Sequence, residues 1–388
     1  MRFLDAGESH GKQLTAIIEG VPSGFTLTTD RINEVLHKRQ KGYGRGARMQ
    51  IEQDQVEITS GVRFGKTIGS PITLTINNED YKNWQELMSI ETADYTNLKA
   101  VTKPRPGHAD LSGGIKYNQQ DLRNILERSS ARETAIRVAV GAVAEQLLHP
   151  FAIQLFSHVT NIAGIQAKRY SEFDNVSLDQ LRLQVASSEV NCLDVELAKE
   201  MVSAIERASD DGDTLGGIVE VVVLGLPVGL GSHVHWDRKL DANLARAIMS
   251  IQGFKGVEIG IGYQAAALPG SKVHDPIKWK DRRFYRPSNN AGGIEGGISN
   301  GEPVIITGVM KPIPTLYNPL SSVDIESKET FLATIERSDI CAVPAASIVA
   351  HYVTAWEIAA AFFAKFSGDS LAEVRQHYNS YLKQIGEY

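Results

Sequence analysis

Two histidines stand where an imidazole is more useful to a ligand than to a core. His10 lies in Gly7-Glu8-Ser9-His10-Gly11-Lys12, among small residues that leave its ring free to reach outward. A histidine in an ordinary solvated loop fits that local sequence equally well. His108 ends the run Lys103-Pro104-Arg105-Pro106-Gly107. The prolines hold Arg105 extended and Gly107 lets the chain turn, so His108 sits at a bend. The 7–12 loop approaches a phosphate-binding P-loop but fails it. Its second glycine comes one residue early, and Gln13 stands where Ser or Thr belongs.

Cations gather near both histidines. Arg39, Lys41, Arg45 and Arg48 share the glycine-rich stretch 39–48. It is not a dinucleotide fingerprint, because no G-x-G-x-x-G follows a strand and opens a helix. It reads as a solvated basic loop or, preferably, a lid over an anion. Arg105, Arg128 and Arg132 form a second group. Ser130-Ala131-Arg132-Glu133 has the spacing of a capping box. The helix it opens runs through Ala135, Val138, Val143 and Leu147 and stops before Pro150. That helix is apolar on nearly every face, so it belongs in the interior. With Arg128, Ser129, Ser130 and Arg132 at its start, it offers an anion site. The net charge of -6 argues against general nucleic-acid binding. An acidic chain with local basic clusters suits a small polyanionic ligand instead.

The surrounding elements are those of an α+β chain. Strands are expected at Leu14–Glu19, Gln55–Thr59, Ile72–Ile76, Gly216–Leu224 and Pro303–Val309. Thr29-Asp30 caps a helix through Ile32, Val35 and Leu36. Further helices span Leu240–Met249 and the apolar run Ala345–Phe363, the latter capped by Ser338 or Asp339. A strand, Gly20-Val-Pro-Ser-Gly24, a helix and a glycine-rich loop occur in residues 10–50. The order returns in 216–260 with Gly225-Leu-Pro-Val-Gly229, which suggests an internal duplication within one domain, 1–388. Gly292, Gly293, Gly296 and Gly297 give the 289–301 stretch a backbone that can approach a flat ring or a phosphate closely. Pro312 and Pro314 stiffen the loop that carries Lys311. His233 and His235 could share one strand face, but no third ligand is evident, so no metal is expected. Cys192 and Cys341 lack metal or redox spacing and read as reduced thiols in a cytoplasmic protein. No signal peptide and no membrane-spanning stretch is expected.

Read together, G-E-S-H-G at 7–11, the arginines at 39, 45 and 48, R-P-G-H-A-D at 105–110, R-S-S-A-R-E-T at 128–134, G-G-I-E-G-G at 292–297, K-P-I-P-T at 311–315 and E-R-S-D at 336–339 resemble chorismate synthase in its short bacterial form. The motifs follow the family's order and cover nearly the whole chain. The resemblance implies a single-domain β-α-β sandwich, with central helices between antiparallel sheets, assembled as a homotetramer. It implies a 1,4-anti elimination of phosphate from 5-enolpyruvylshikimate 3-phosphate, giving chorismate. Reduced FMN lends electron density in that reaction and recovers it, so there is no net redox change.

The same resemblance assigns roles. His10 is the acid that protonates departing phosphate. His108 protonates or stabilises the reduced flavin ring. Asp339, with Ser9 as relay, is the base serving flavin N5. Arg48, Arg105, Arg132 and Arg337 hold substrate anions. Arg128, Ser129, Ser130, Ile251, Gln252, Gly296, Lys311, Pro312, Ile313, Pro314, Thr315 and Arg337 match FMN contacts. Arg39 and Arg45 match positions tied to NADPH, which reduces the flavin in some members; others rely on a separate flavin reductase. Gln252-Gly253 and Ile340-Cys341 depart from the family's usual pairs, which puts a side-chain contact from Gln252 in question. Two rivals stand beside this reading. One is an NADPH-dependent flavin reductase; the other is a non-catalytic polyanion-binding module, which leaves His10, His108 and Asp339 unexplained.

Overall fold

The computed structural model describes residues 1–46, 53–91, 100–173, 176–333 and 338–388. Arg48 and Arg337 therefore lie outside the described residues. In chain order the main elements are β1 (Arg2–Ala6), β2 (Gln13–Glu19), α1 (Thr29–Gln40), β3 (Val56–Ser60), β4 (Ile72–Asn77), α2 (Asp110–Tyr117), α3 (Arg123–Ser129), α4 (Thr134–Leu148), β5 (Gln154–Ile162), β6 (Ile165–Gln166), α5 (Leu178–Ala186), α6 (Val195–Asp210), β7 (Gly217–Leu224), α7 (Leu240–Met249), β8 (Phe254–Ile259), β9 (Val304–Met310), α8 (Val343–Lys365) and α9 (Leu371–Glu387). Helices and sheets are mixed along the chain, an α+β fold.

Two antiparallel sheets carry the architecture. The first has the order β1-β2-β4-β3, the second β8-β9-β7-β5-β6. In the first, Leu14, Ala16 and Ile18 of β2 stand opposite Ile76, Leu74 and Ile72 of β4. All six are buried, because alternate residues share one face and that face packs on α4. Strand β7 reads Gly-Ile-Val-Glu-Val-Val-Val-Leu without alternation. It is covered on both sides: α8 packs on one, and Val222 joins Phe156, Leu181 and Leu193 in a small cluster on the other. A continuous β-branched run is what double coverage selects.

Helices α4 and α8 join the layers. Helix α4 packs on β1, β2 and β4, α8 packs on β5, β7 and β9, and the two pack on each other. Their approach is set by Gly141, where a Cβ would lie 2.1 Å from the Tyr352 carbonyl oxygen. Helix α8 spans 23 residues and is long and apolar enough to cross a membrane, contrary to the expectation that no stretch is. Most of it is buried against α4 and the second sheet, so its apolar character is that of a core helix.

Several local expectations change. The first strand is β1, not Leu14–Glu19, and it pairs with β2 from Arg2↔Glu19 to Ala6↔Thr15. Thr28 is the N-cap of α1 and makes no capping bond, so Asp30 acts only as a first-turn acid. Ser130 and Glu133 form no capping box. Ser130 accepts from the Arg132 N–H at the start of a short 3-10 turn, Ala131–Glu133, and α4 begins at Thr134. Helix α8 starts at Val343 with Ala342 as N-cap, so neither Ser338 nor Asp339 caps it. Pro344 in its first turn needs no N–H partner there. His233 and His235 lie in a bend rather than on a strand, and His235 Nδ1 faces exposed Asp237 at 2.6 Å.

Candidate active site

The 7–11 loop leaves β1 and returns into β2. Its Ser9 N–H donates to the Glu127 carbonyl at 2.9 Å, and its His10 N–H to Glu127 Oε2 at 2.8 Å. The His10 ring follows: Nδ1 lies 2.9 Å from Glu127 Oε1. Burial opposes the charge on Glu127, but the bonds and charge from His10 and the charge of Arg123 outweigh it and hold its carboxyl below the ordinary glutamate value. An ionised Glu127 only accepts, so Nδ1 is the donor. Trp84 stacks on the imidazole, with centroids 3.9 Å apart and planes 26° apart. The Arg123 guanidinium sits over the same indole and reaches Glu127 Oε1 at 3.3 Å. From below, Asn78 Nδ2 donates to the carbonyls of Glu8 and Gly11.

Asn78 also ties this loop to a buried arginine pair. Arg132 Nε donates to Asn78 Oδ1 at 2.9 Å, and its Nη1 to Asp54 Oδ1 at 2.5 Å. Arg39 Nη1 approaches the other Asp54 oxygen at 3.6 Å, and Arg39 donates to Thr134 Oγ1 and the Ala131 carbonyl. Arg39 shares the buried face of α1 with Ile32, Val35 and Leu36, and burial lowers its pKa to about 10. It stays charged at neutral pH and braces the start of α4.

His108 sits in a smaller, self-contained unit. Asp110, the first residue of α2, is buried and accepts from the Arg105 N–H and from Arg105 Nε at 2.9 Å. His108 Nδ1 lies 2.6 Å from Asp110 Oδ1. Burial of Asp110 is outweighed by the bonds from His108 and Arg105, so its carboxyl stays well below the usual range and Nδ1 is again the donor.

The 311–315 loop flanks this unit. A Cβ on Gly107 would lie 3.5 Å from Pro314 Cβ and 3.6 Å from Lys311 Nζ. Burial and the nearby Lys255 lower the Lys311 pKa. The Lys311 N–H donates to the Gly253 carbonyl, the Ile313 carbonyl accepts from Thr214, and buried Thr315 accepts from Ser338 Oγ. Gln252 Nε2 donates to Glu133 Oε2 at 2.9 Å, while its buried Oε1 accepts no hydrogen bond among the described residues. Asp339 pairs with Arg45 at 2.6 Å and accepts from the Gly46 N–H. A cavity of about 630 Å³ opens beside it, lined by Gly44, Arg45, Gly46, Ser338 and Ile340. A larger one, about 1020 Å³, lies among α1, α4 and α8 over Glu145, His351 and Tyr352, and holds none of the expected residues. The chemistry, not the volume, places the candidate site.

The whole-chain pattern matches one family. The chorismate synthase family model matches residues 1–363. The chain belongs to the chorismate synthase family. Chorismate synthase of Brevibacillus brevis is 60% identical over 384 residues, 98% of each chain. That of Geotalea uraniireducens is 59% identical over 392 residues, 99% of each. A chorismate synthase crystal structure, 42% identical, superposes with a TM-score of 0.81 over 100% of this chain and 98% of that one. Chorismate synthases are carbon–oxygen lyases of aromatic amino-acid biosynthesis, and this chain is an enzyme of that class.

Measured against the family's expected contacts, the structure gathers some residues and separates others. Lys311, which opens the 311–315 loop, bonds Gly253, the residue after Ile251 and Gln252, and Lys311 and Pro314 lie against Gly107, next to His108 in the chain. The buried, unused Gln252 acceptor suits a ring N–H or a hydroxyl, so this part fits a flavin. Other expected contacts are turned elsewhere. Arg128 donates to Asp5 Oδ2 at 2.7 Å and to the Gly7 carbonyl, and the Ser129 hydroxyl donates back into α3. Ser130 Oγ accepts from Ser9 Oγ at 3.1 Å, whereas Asp339 pairs with Arg45 and accepts from the Gly46 N–H. Gly296 lies by the start of α7, where the Leu240 N–H donates to the Gly297 carbonyl. Ile251 lies past the other end, roughly 15 Å along a helix of this length. Within the 128–132 segment expected as an anion site, Arg128 and Arg132 pair with Asp5 and Asp54.

Sequence reasoning missed Glu127, Asp110, Asp54, Asn78 and Trp84. Asp110 was within reach: an acid two residues after His108, in a segment that turns, faces the same side. Glu127 had a weaker signal, the i,i+4 spacing from Arg123. Nothing local connects Asp54 or Asn78 to Arg132.

Proposed function

We propose that the chain catalyses the 1,4-anti elimination of phosphate from 5-enolpyruvylshikimate 3-phosphate to give chorismate, with reduced FMN. The observation that carries the reading is the matched presentation of two imidazoles. His10 and His108 each give Nδ1 to a buried carboxylate; His10 Nε2 is then without a partner among the described residues, while His108 Nε2 lies 3.4 Å from the Arg105 guanidinium.

In this reading His10 delivers a proton to the departing phosphate, and Trp84 and Glu127 keep its ring in plane for that transfer. Arg105, held by Asp110, together with Arg48, Arg132 and Arg337, meets the substrate's carboxylates and phosphate. Lys311–Thr315 with Ile251 and Gln252 would hold the flavin, whose reduced ring supplies electron density at the reacting carbons. His108, beside Gly107 and the 311–315 loop, holds a proton at its edge. Asp339 is the base for the last proton, released from Arg45 as the site fills. Arg39, bonded to Thr134 and Asp54, braces the fold; Arg45, beside the 630 Å³ cavity, is the better placed of the two for NADPH.

The sandwich and duplication readings draw support from topology. The path β1-β2-α1-β3-β4-α4 has the order β1-β2-β4-β3 in its sheet. The path β5-β7-α7-β8-β9-α8 has β5-β7-β9-β8 in the other. We further propose a homotetramer, in which the exposed Trp236, Trp279 and Phe284 offer apolar surface to another copy.

An anaerobic assay tests the reaction. Purified protein with 5-enolpyruvylshikimate 3-phosphate and chemically reduced FMN should form chorismate and phosphate, and oxidised FMN alone should form none. No chorismate from folded protein with reduced FMN overturns the reading.

A further inference from the structure

We propose that Glu127 is the positioning residue that fixes the orientation and tautomer of His10. The inference rests on the reading of His10 as the proton donor. Glu127 meets the His10 segment at three points: its carbonyl takes the Ser9 N–H, Oε2 takes the His10 N–H, and the carboxylate takes Nδ1–H. One residue therefore sets both the backbone of the loop and the ring it carries. The carboxylate side chain is 2% exposed and the imidazole side chain 15% exposed. In so dry a setting their attraction is screened little by water.

The geometry leaves one ring nitrogen for chemistry. With Nδ1–H spent on Glu127, Nε2 makes no hydrogen bond among the described residues. Trp84 on the ring face blocks rotation about the side-chain bond. Among the described residues, the charged groups that contact the ring or its partners are Glu127 and Arg123, both from α3. Arg123 bonds Glu127 rather than the imidazole, so the carboxylate remains the charge in direct contact with His10. His10 and Arg123 hold the Glu127 carboxyl below its ordinary value, so it stays the acceptor of Nδ1–H. Arg123 in turn keeps the carboxylate from following the proton. The Glu127 side chain is 2% exposed and bonded to His10, so its effect on the reaction passes through His10.

Two measurements test this. Nitrogen NMR of the wild-type chain, with labelled histidine assigned by comparison with His10→Ala, should show the neutral His10 ring protonated at Nδ1 and bare at Nε2. The opposite tautomer overturns the proposal without any need for a variant to fold. The second is kcat and KM for Glu127→Gln and Glu127→Asp. Glutamine can donate as well as accept, so it no longer holds a single tautomer, and kcat should fall about 10- to 100-fold, the scale for a partner that orients a functional imidazole. KM should not change. Aspartate only accepts and should keep the Nδ1–H tautomer in the same NMR measurement, with most of kcat. A Glu127→Gln enzyme with unchanged kcat, alongside an inactive His10→Ala, makes Glu127 only a brace and overturns the proposal. A His10→Ala enzyme at wild-type rate instead removes the role of His10 itself.

Discussion

His10 and His108 are held in similar ways by different amounts of chain. Each gives Nδ1 to a buried carboxylate, at 2.9 Å for Glu127 and 2.6 Å for Asp110. Asp110 is two residues from its histidine, whereas Glu127 is 117 residues from its own. The His108 unit is almost local, a proline-stiffened strap whose Arg105 and His108 both turn back on one acid. The His10 unit exists only after folding, because Glu127 comes from α3, Trp84 from the turn after β4, and Asn78 joins it to Arg132, Asp54 and Arg39. The first should survive disturbance of the distant core; the second should not.

Direct removal of each ring gives the largest expected effects. His10→Ala and His108→Ala should each lower kcat by about 10²–10⁴-fold, the usual yield of a positioned proton-transfer group. FMN binding followed by fluorescence quenching should persist in both. A variant turning over at the wild-type rate would break the comparison on that side.

Asp54→Ala sharpens it. The change leaves Arg39 and Arg132 without their shared carboxylate and should cost about 3–5 kcal/mol in urea unfolding. In the protein that remains folded, the loss should pass through Arg132 and Asn78 to the 7–11 loop and raise hydrogen exchange at the Ser9 and His10 amides. The His108 amide should exchange as before. Equal loosening of both would show that the His108 strap also leans on the core.

Gly141→Ala acts through neither unit. Its Cβ would strike the Tyr352 carbonyl, backbone that cannot rotate away. Separation of α4 and α8 should cost about 1–3 kcal/mol by thermal unfolding. Full stability would mean that the helices can part at no expense.

The smallest effect is in pH. Asp110 and Glu127 both have depressed folded values, so their contribution to stability is complete above the unfolded values, about 3.9 and 4.3. It is lost as pH falls through the folded values. Glu133 runs the other way, because burial raises its pKa despite Arg137 and Gln252. Its cost therefore appears as pH rises past its unfolded value. Urea midpoints between about pH 3 and 6 should rise with pH. The rise should be shallower in Asp110→Asn.

The same contrast explains what the sequence disclosed. The α+β class, the buried α4, the β-branched β7 and the span of α7 follow from periodicity and composition. The His108 bend follows from two prolines and a glycine. Arg39 was half legible: it falls seven residues after Ile32 on the apolar face of α1, which marks it as buried, yet its rank among the basic-loop residues suggested a ligand. Arg128 and Arg132 were half legible for the same reason. An arginine beside a buried helix needs an anion, but Asp5 and Asp54 supply it from far along the chain. Asp339 looked like a helix cap, although Pro344 lets α8 begin later without one.

The most direct test is an anaerobic single turnover with reduced FMN and 5-enolpyruvylshikimate 3-phosphate, comparing wild-type protein with His10→Ala and following phosphate and chorismate separately. The wild type should release both at one rate, and His10→Ala should slow phosphate release by at least about 10²-fold with substrate still bound. Phosphate release at the wild-type rate from His10→Ala would contradict the assignment of His10 as the proton donor on which the account rests.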